Sequence, residues 1–174
     1  MHDMLWRLDG LASPSVKELR SRPRSLGEYR AFYHLWSRQI FDFCLLVCGD
    51  RAQAEWLTEE TFAWYFRRAD FVALRLGSRV PVGLLRSAAE LARTQGNRRL
   101  GADSGGFGQA LLEMPFTDRA AFILVSVLEV EPSAAAVALR LSSSQLTSRW
   151  LAAALRLHGL RHAFGEATEM PAAA

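Results

Sequence analysis

Four side chains in this sequence sit at spacings that could react or hold a metal. Cys44 and Cys48 lie four apart in an apolar run, and His158 and His162 lie four apart near the C-terminal end. Side chains four apart stack along a helix, so a disulfide between the cysteines would distort it. No further cysteine or histidine stands at ligand spacing from either pair. The cysteines therefore read as buried small hydrophobes in a reduced protein. Gly159 is expected to stop the helix that would align the histidines. The acid pair Glu59-Glu60 reads as an exposed helical surface rather than a cleft. No glycine-rich phosphate loop, nucleophile elbow or paired-cysteine zinc signature occurs. The expectation is no enzyme, no metal and no cofactor.

What remains is binding. The formal net charge is +3, carried almost wholly by arginine, with Lys17 the only lysine. Guanidinium groups suit bidentate contact with phosphate or guanine. Coding bias toward Arg and Ala would give the same composition, so the charge permits nucleic acid without demanding it. No run of eighteen apolar residues occurs, which excludes a transmembrane helix. Residues 1–10 mix acidic and apolar side chains and lack a basic start, so no secretory signal is expected and the protein is assigned to the cytoplasm.

The elements that must position such surfaces all read as helices. Ser25 with Glu28 forms a capping box, and Tyr29, Phe32, Trp36, Ile40, Phe43 and Val47 then recur every three or four residues up to Gly49. Asp50 with Gln53 opens the next helix. There Ala54, Leu57, Thr61, Trp64 and Tyr65 share one side, and Glu55, Glu59, Phe62 and Phe66 the other. Two readings of that second side stand open. Phe62 and Phe66 are covered by a neighbouring helix, or they join the carboxylates in a docking face for a partner that offers cations and an apolar groove. A looser stretch follows, broken by Gly77 and Pro81. A helix over Val82–Gln95 then carries Arg86, Glu90, Arg93 and Asn97 along one line.

Residues 100–108 are rich in glycine and read as a flexible linker between two units. The second unit spans residues 109–163. Thr117 is expected to cap an apolar helix ending near Val130, and Pro132-Ser133 opens a short one. Ser143 or Ser144 caps a last helix that Gly159 should stop. A short helix, a tight turn and a longer helix give the helix-turn-helix outline. Five arginines and four acids leave this unit near +1, which favours only weak, easily screened DNA contact. Residues 1–24 read as a flexible extension and 164–174 as a disordered tail.

Several of these stretches resemble the extracytoplasmic-function sigma factors, the small two-domain subunits that direct bacterial RNA polymerase to promoters. Ala54-Glu55-Trp56-Leu57-Thr58-Glu59-Glu60-Thr61-Phe62 resembles the family's acidic A-E-D-L-x-Q-E-x-F signature, with Trp56 in place of Asp and Glu59 in place of Gln. Gly83 to Ala92 resembles W-L-F-R-I-A-R-N-L-A, with Gly83, Ala89 and Glu90 in place of Trp, Arg and Asn. Leu141 to Trp150 resembles I-S-V-G-T-V-K-S-R-L, with Thr147 in place of Lys. Arg140 stands in the turn where the family has Gly.

The resemblance implies an all-α protein: a region-2-like domain over 25–99 and a region-4-like helix-turn-helix domain over 109–163. It implies that Glu55, Glu59, Glu60 and Phe62 dock on core RNA polymerase. It assigns Arg86, Arg93, Asn97, Arg98 and Arg99 to the minus-ten region of promoter DNA, and Ser143, Ser144, Gln145, Ser148 and Arg149 to the minus-thirty-five region. An anti-sigma factor is a further implied partner. The implied function is an alternative sigma factor. The departures at Ala89, Glu90 and Thr147, with the run Ala152-Ala153-Ala154, leave an alternative: a sigma-like regulatory module that binds protein through weakened DNA faces.

Overall fold

A computed structural model describes residues 26–68, 80–95 and 107–168, apart from the side chains at 26, 28, 68 and 160–168. The N-terminal extension, the Ser25 cap, most of the stretch after residue 68, Asn97, Arg98, Arg99, the linker up to residue 106 and the end of the tail lie outside the described residues.

The described elements are all helical: α1 (Leu26–Cys48), α2 (Arg51–Arg68), α3 (Val82–Gln95), α4 (Phe107–Leu112), α5 (Phe116–Phe122), α6 (Pro132–Leu139) and α7 (Ser143–Thr168), with a π-helical turn, Ile123–Val127, extending α5. The α1 stripe forms as its spacing predicts, with Phe32, Trp36, Ile40, Phe43 and Val47 all buried. Gly49 ends α1 at φ +71°, a left-handed backbone that glycine adopts without strain. Its N–H donates to the Leu45 carbonyl at 2.7 Å.

Asp50 caps α2 as expected, its Oδ1 accepting from the Gln53 N–H at 2.6 Å. Gln53 does not close the box. Its side-chain amide instead donates to the Gln95 carbonyl at 2.9 Å, tying α2 to the end of α3. Helices α2 and α3 pass closely at Gly83, where a Cβ would stand 3.1 Å from Tyr65 Cε2.

Cys44 and Cys48 are free and buried, and the Cys48 thiol donates to the Cys44 carbonyl. Burial, with Cys48 alongside, pushes the Cys44 thiol up from 9.0 to about 12. A raised acid pKa means that the native state holds the proton more tightly than the unfolded chain. The stability this contributes is complete below about pH 9 and is lost as pH rises from there toward 12. Thermal melting followed across pH 8–11 should show the midpoint falling from about pH 9 upward.

In the second half, α5 starts at Phe116, two residues earlier than a Thr117 cap would place it, and Pro115 stands at the N-cap with no side-chain hydrogen bond. Proline at that place leaves no cap for Thr117 to supply. The buried Arg119 donates from Nη1 to the Leu112 carbonyl at 2.8 Å, satisfying the end of α4. The π-helical turn closes with Leu128 N–H donating to the Ile123 carbonyl at 2.9 Å. Glu131 caps α6, accepting from the Ser133 N–H at 3.2 Å.

Ser142 caps α7, where Ser143 or Ser144 was expected. Its Oγ accepts from the Gln145 N–H at 3.2 Å, and Gln145 Oε1 accepts from the Ser142 N–H at 2.9 Å. This is a reciprocal capping box. Gly159 does not end α7, which continues to Thr168. A glycine inside a helix costs only about 1 kcal/mol, which the flanking turns can absorb.

One buried cluster runs through residues of α1, α2, α3, α5, the π-helical turn, α6 and α7, so it draws on helices from both sides of residues 96–106. A smaller cluster joins Leu111, Met114 and Ala153, with Phe122 and Leu157 against it. No helix of the described residues is long and apolar enough to cross a membrane.

Candidate partner and nucleic-acid surfaces

The α2 surface resolves the two readings of its aromatic side. Phe62 is 3% exposed. Its ring lies 4.7 Å from that of Tyr33 and 6.0 Å from that of Phe32, so α1 covers it. Phe66 is half-buried beside Tyr29, with ring centroids 4.2 Å apart. The phenyl rings therefore belong to the α1–α2 core, and Phe62 is corrected from a docking residue to a packing one. Thr61 and Thr58 are buried on the same helix. With so many apolar residues on α2, the buried sector is wider than the single stripe that periodicity suggests.

What α2 shows to solvent is narrower. Ala52, Glu55, Trp56, Glu59 and Ala63 are exposed, and Glu60 is half-buried. Glu55 pairs with Arg51 at 3.0 Å and Glu60 with Arg67 at 2.7 Å, both within the helix. Glu59 forms no ion pair among the described residues; its charge helps burial raise the Tyr33 hydroxyl above its ordinary value. Trp56, 47% exposed, stands at the centre of this face. Sequence reasoning treated Trp56 as a departure from a motif. Its position on the helical wheel, opposite Ala54, Leu57 and Thr61, was the signal that it faces outward.

The basic residues assigned to DNA separate into distinct settings. Arg93 is exposed in the last turn of α3. Arg86 instead turns toward the second half, where Nε and Nη2 donate to the Val137 carbonyl at 3.3 and 3.0 Å. Arg149 Nη1 donates to Asp118 Oδ1 at 3.3 Å, and that carboxylate is 5% exposed. Asn97, Arg98 and Arg99 lie outside the described residues.

Within α7, Ser143, Ser144, Gln145 and Ser148 are exposed as the helix-turn-helix outline requires. Gln145 and the Ser142 hydroxyl are engaged in the cap, and the Ser142 and Ser144 hydroxyls lie 3.0 Å apart. Leu146, Trp150 and Ala153 turn inward, with the Trp150 indole donating to Ser126 Oγ at 2.7 Å. The outward face continues from Ser144 and Ser148 to Leu151 and Leu155, which are 47% and 72% exposed. Among the described residues, the exposed arginines of α7, Arg149 and Arg156, each follow a member of this row by one residue, about 100° around the helix. The hydroxyls there can both donate and accept hydrogen bonds.

No group of three or more metal-ligating side chains occurs among the described residues.

Two of the solved structures that resemble the chain are complexes with NepR. One is a complex of the sigma factor RpoE with the anti-sigma factor NepR from Bartonella quintana, matching with a TM-score of 0.62 and 18% identity over 79% of this chain and 98% of that one. The other is the PhyRSL–NepR complex from Sphingomonas sp. Fr1, with a TM-score of 0.56 and 19% identity over 78% of this chain and 88% of that one. No protein-family model and no curated protein matches the sequence. At this identity the likeness concerns backbone architecture, and that is enough to say that the chain has the all-helical fold of sigma factors and sigma-like domains.

Proposed function

We propose that the protein is a sigma-type transcription factor: α2 docks on core RNA polymerase and α7 reads promoter DNA. The supporting observation is that α2 and α7 hold Glu55 and Glu59, and Ser143, Ser144 and Ser148, on exposed faces of a sigma-like fold. Both solved relatives are complexes with NepR, named in one of them as an anti-sigma factor, so a partner of that class is proposed as well. The two units of the reading are residues 25–99 and 109–163, and initiation chemistry belongs to the polymerase.

A second reading is favoured by one feature, the use of Arg86 and Glu90 within the molecule. Under it the protein is a sigma-like regulator that binds protein and leaves the promoter alone.

Run-off transcription with core polymerase and the DNA upstream of the protein's own gene separates the two. A specific transcript that disappears with Glu59→Arg is the result expected of a sigma factor. Polymerase binding that depends on Glu59, with no transcript from any template, would establish the regulator. Absence of polymerase binding would sink the first reading.

A further inference from the structure

Part of the α3 face that would meet the minus-ten region, at Arg86 and Glu90, is already occupied. Arg86 and Glu90 stand one turn apart on α3, and both reach the C-terminal end of α6. Arg86 donates through two nitrogens to the Val137 carbonyl, at 3.3 and 3.0 Å. Glu90 Oε2 accepts from Arg140 Nη2 at 2.9 Å. Helix α3 packs against α6, and Ala88, Ala89 and Ala92 on one and Ala135, Ala136 and Ala138 on the other are all buried. Small side chains let helices approach closely. Ala89 is only 4% exposed.

Arg140 carries a second signal. It ends α6 at φ 57°, in the left-handed region that glycine occupies without strain and other residues do not. Its backbone N–H needs no arginine to cap α6, since any residue supplies that group. The side chain is what distinguishes it, and its one ion pair among the described residues is with Glu90. Two groups fifty residues apart, neither needed by its own helix, thus meet across the two halves of the chain.

We propose that Arg86 and Glu90 form a clamp on the C-terminal end of α6 that holds the second unit over α3, an autoinhibitory contact. While the clamp is closed, Arg86 is committed to Val137 and Glu90 to Arg140, so α6 engages this part of the α3 face while Arg93 stays exposed. Promoter contact by Arg86 and docking of α6 exclude each other. The regulatory meaning rests on the sigma-type reading above, whereas the closure itself does not.

The test uses the full chain with dyes at Ala63→Cys and Leu155→Cys, both exposed positions; the buried native thiols stay unlabelled. Arg140→Gly removes the ion pair, relieves the left-handed backbone and lowers the positive charge by one. Energy transfer is expected to fall, and affinity for a fluorescein-labelled single-stranded A/T-rich 20-mer to rise about threefold or more, because apparent affinity scales with the open fraction. Loss of a cation alone would lower that affinity. The charge exchange Glu90→Arg/Arg140→Glu is expected to restore wild-type transfer. Unchanged transfer in Arg140→Gly overturns the clamp. A fall in transfer with no gain in DNA affinity overturns autoinhibition. Core polymerase binding, measured on the same proteins, reports separately on the sigma-type reading: retained binding with unchanged transfer leaves that reading standing while the clamp falls.

Discussion

Phe32→Ala is expected to lower the unfolding free energy by about 3–5 kcal/mol, the range for deleting a fully buried aromatic ring. Phe32 is completely buried on α1 and is the hub of the aromatic cluster that joins α1 to α2. Its ring stacks on Tyr65 at 5.9 Å and meets Phe66 edge-on at 5.4 Å. Such ring pairs add about 0.5–1.5 kcal/mol beyond area burial, so the loss should fall in the upper part of that range. For a domain of ordinary stability, about 5–15 kcal/mol, this is roughly a fifth or more of the total. Urea unfolding followed by helical circular dichroism measures it. Trp56→Ala, at an exposed position of α2, serves as the comparison and should stay within about 0.5 kcal/mol. Equal costs at the two positions would contradict the assignment of inner and outer faces on which the docking argument depends.

Gly49→Ala should cost about 2–4 kcal/mol, from two sources that can be separated experimentally. The first is backbone strain: φ is +71°, and a Cβ there is worth roughly 1–2 kcal/mol against the native conformation. The second is a clash, because the added Cβ would stand 2.5 Å from Leu112 Cδ1. Leu112 belongs to α4, so the penalty falls on the contact between the end of α1 and the second half of the chain. In a Leu112→Ala background the clash disappears and only the strain remains. A double-mutant cycle by denaturant unfolding should therefore show coupling of about 1–3 kcal/mol. If Gly49→Ala cost the same in both backgrounds, the close approach of α4 to Gly49 would be wrong.

Local chemistry was legible wherever a short stretch decides its own conformation. The Asp50 cap, the Gly49 stop and the α1 stripe depend on side chains within one or two turns of each other, and each forms as predicted. The same logic failed at Thr117 and Gly159, for opposite reasons. Pro115 already starts α5, so Thr117 has no end to cap. At Gly159 the neighbouring turns carry α7 past a residue that is a weak stop by itself. Proximity in sequence was enough for the first group and misleading for the second.

The candidate surfaces divide in the same way. That Glu55 and Glu59 face outward on α2 follows from helical spacing, as does the outward row of Ser144 and Ser148 on α7. The fate of Phe62 could not follow from spacing, because it depends on where Phe32 and Tyr33 of α1 come to rest. Nor could the commitment of Arg149 to Asp118, or of Arg86 to Val137, across 31 and 51 residues.

The sequence by itself determined that this protein is helical, where α1 ends, where α2, α3 and α6 begin, and which residue types are offered to partners. It also displayed Glu90 and Arg140 as separate departures from a family pattern. Only the tertiary structure made them one feature, an ion pair of 2.9 Å between α3 and the α6–α7 turn. The reason is physical. Helical periodicity specifies the faces of each element, whereas the pairing of faces is decided by packing between distant segments, which leaves no short-range trace in the order of residues.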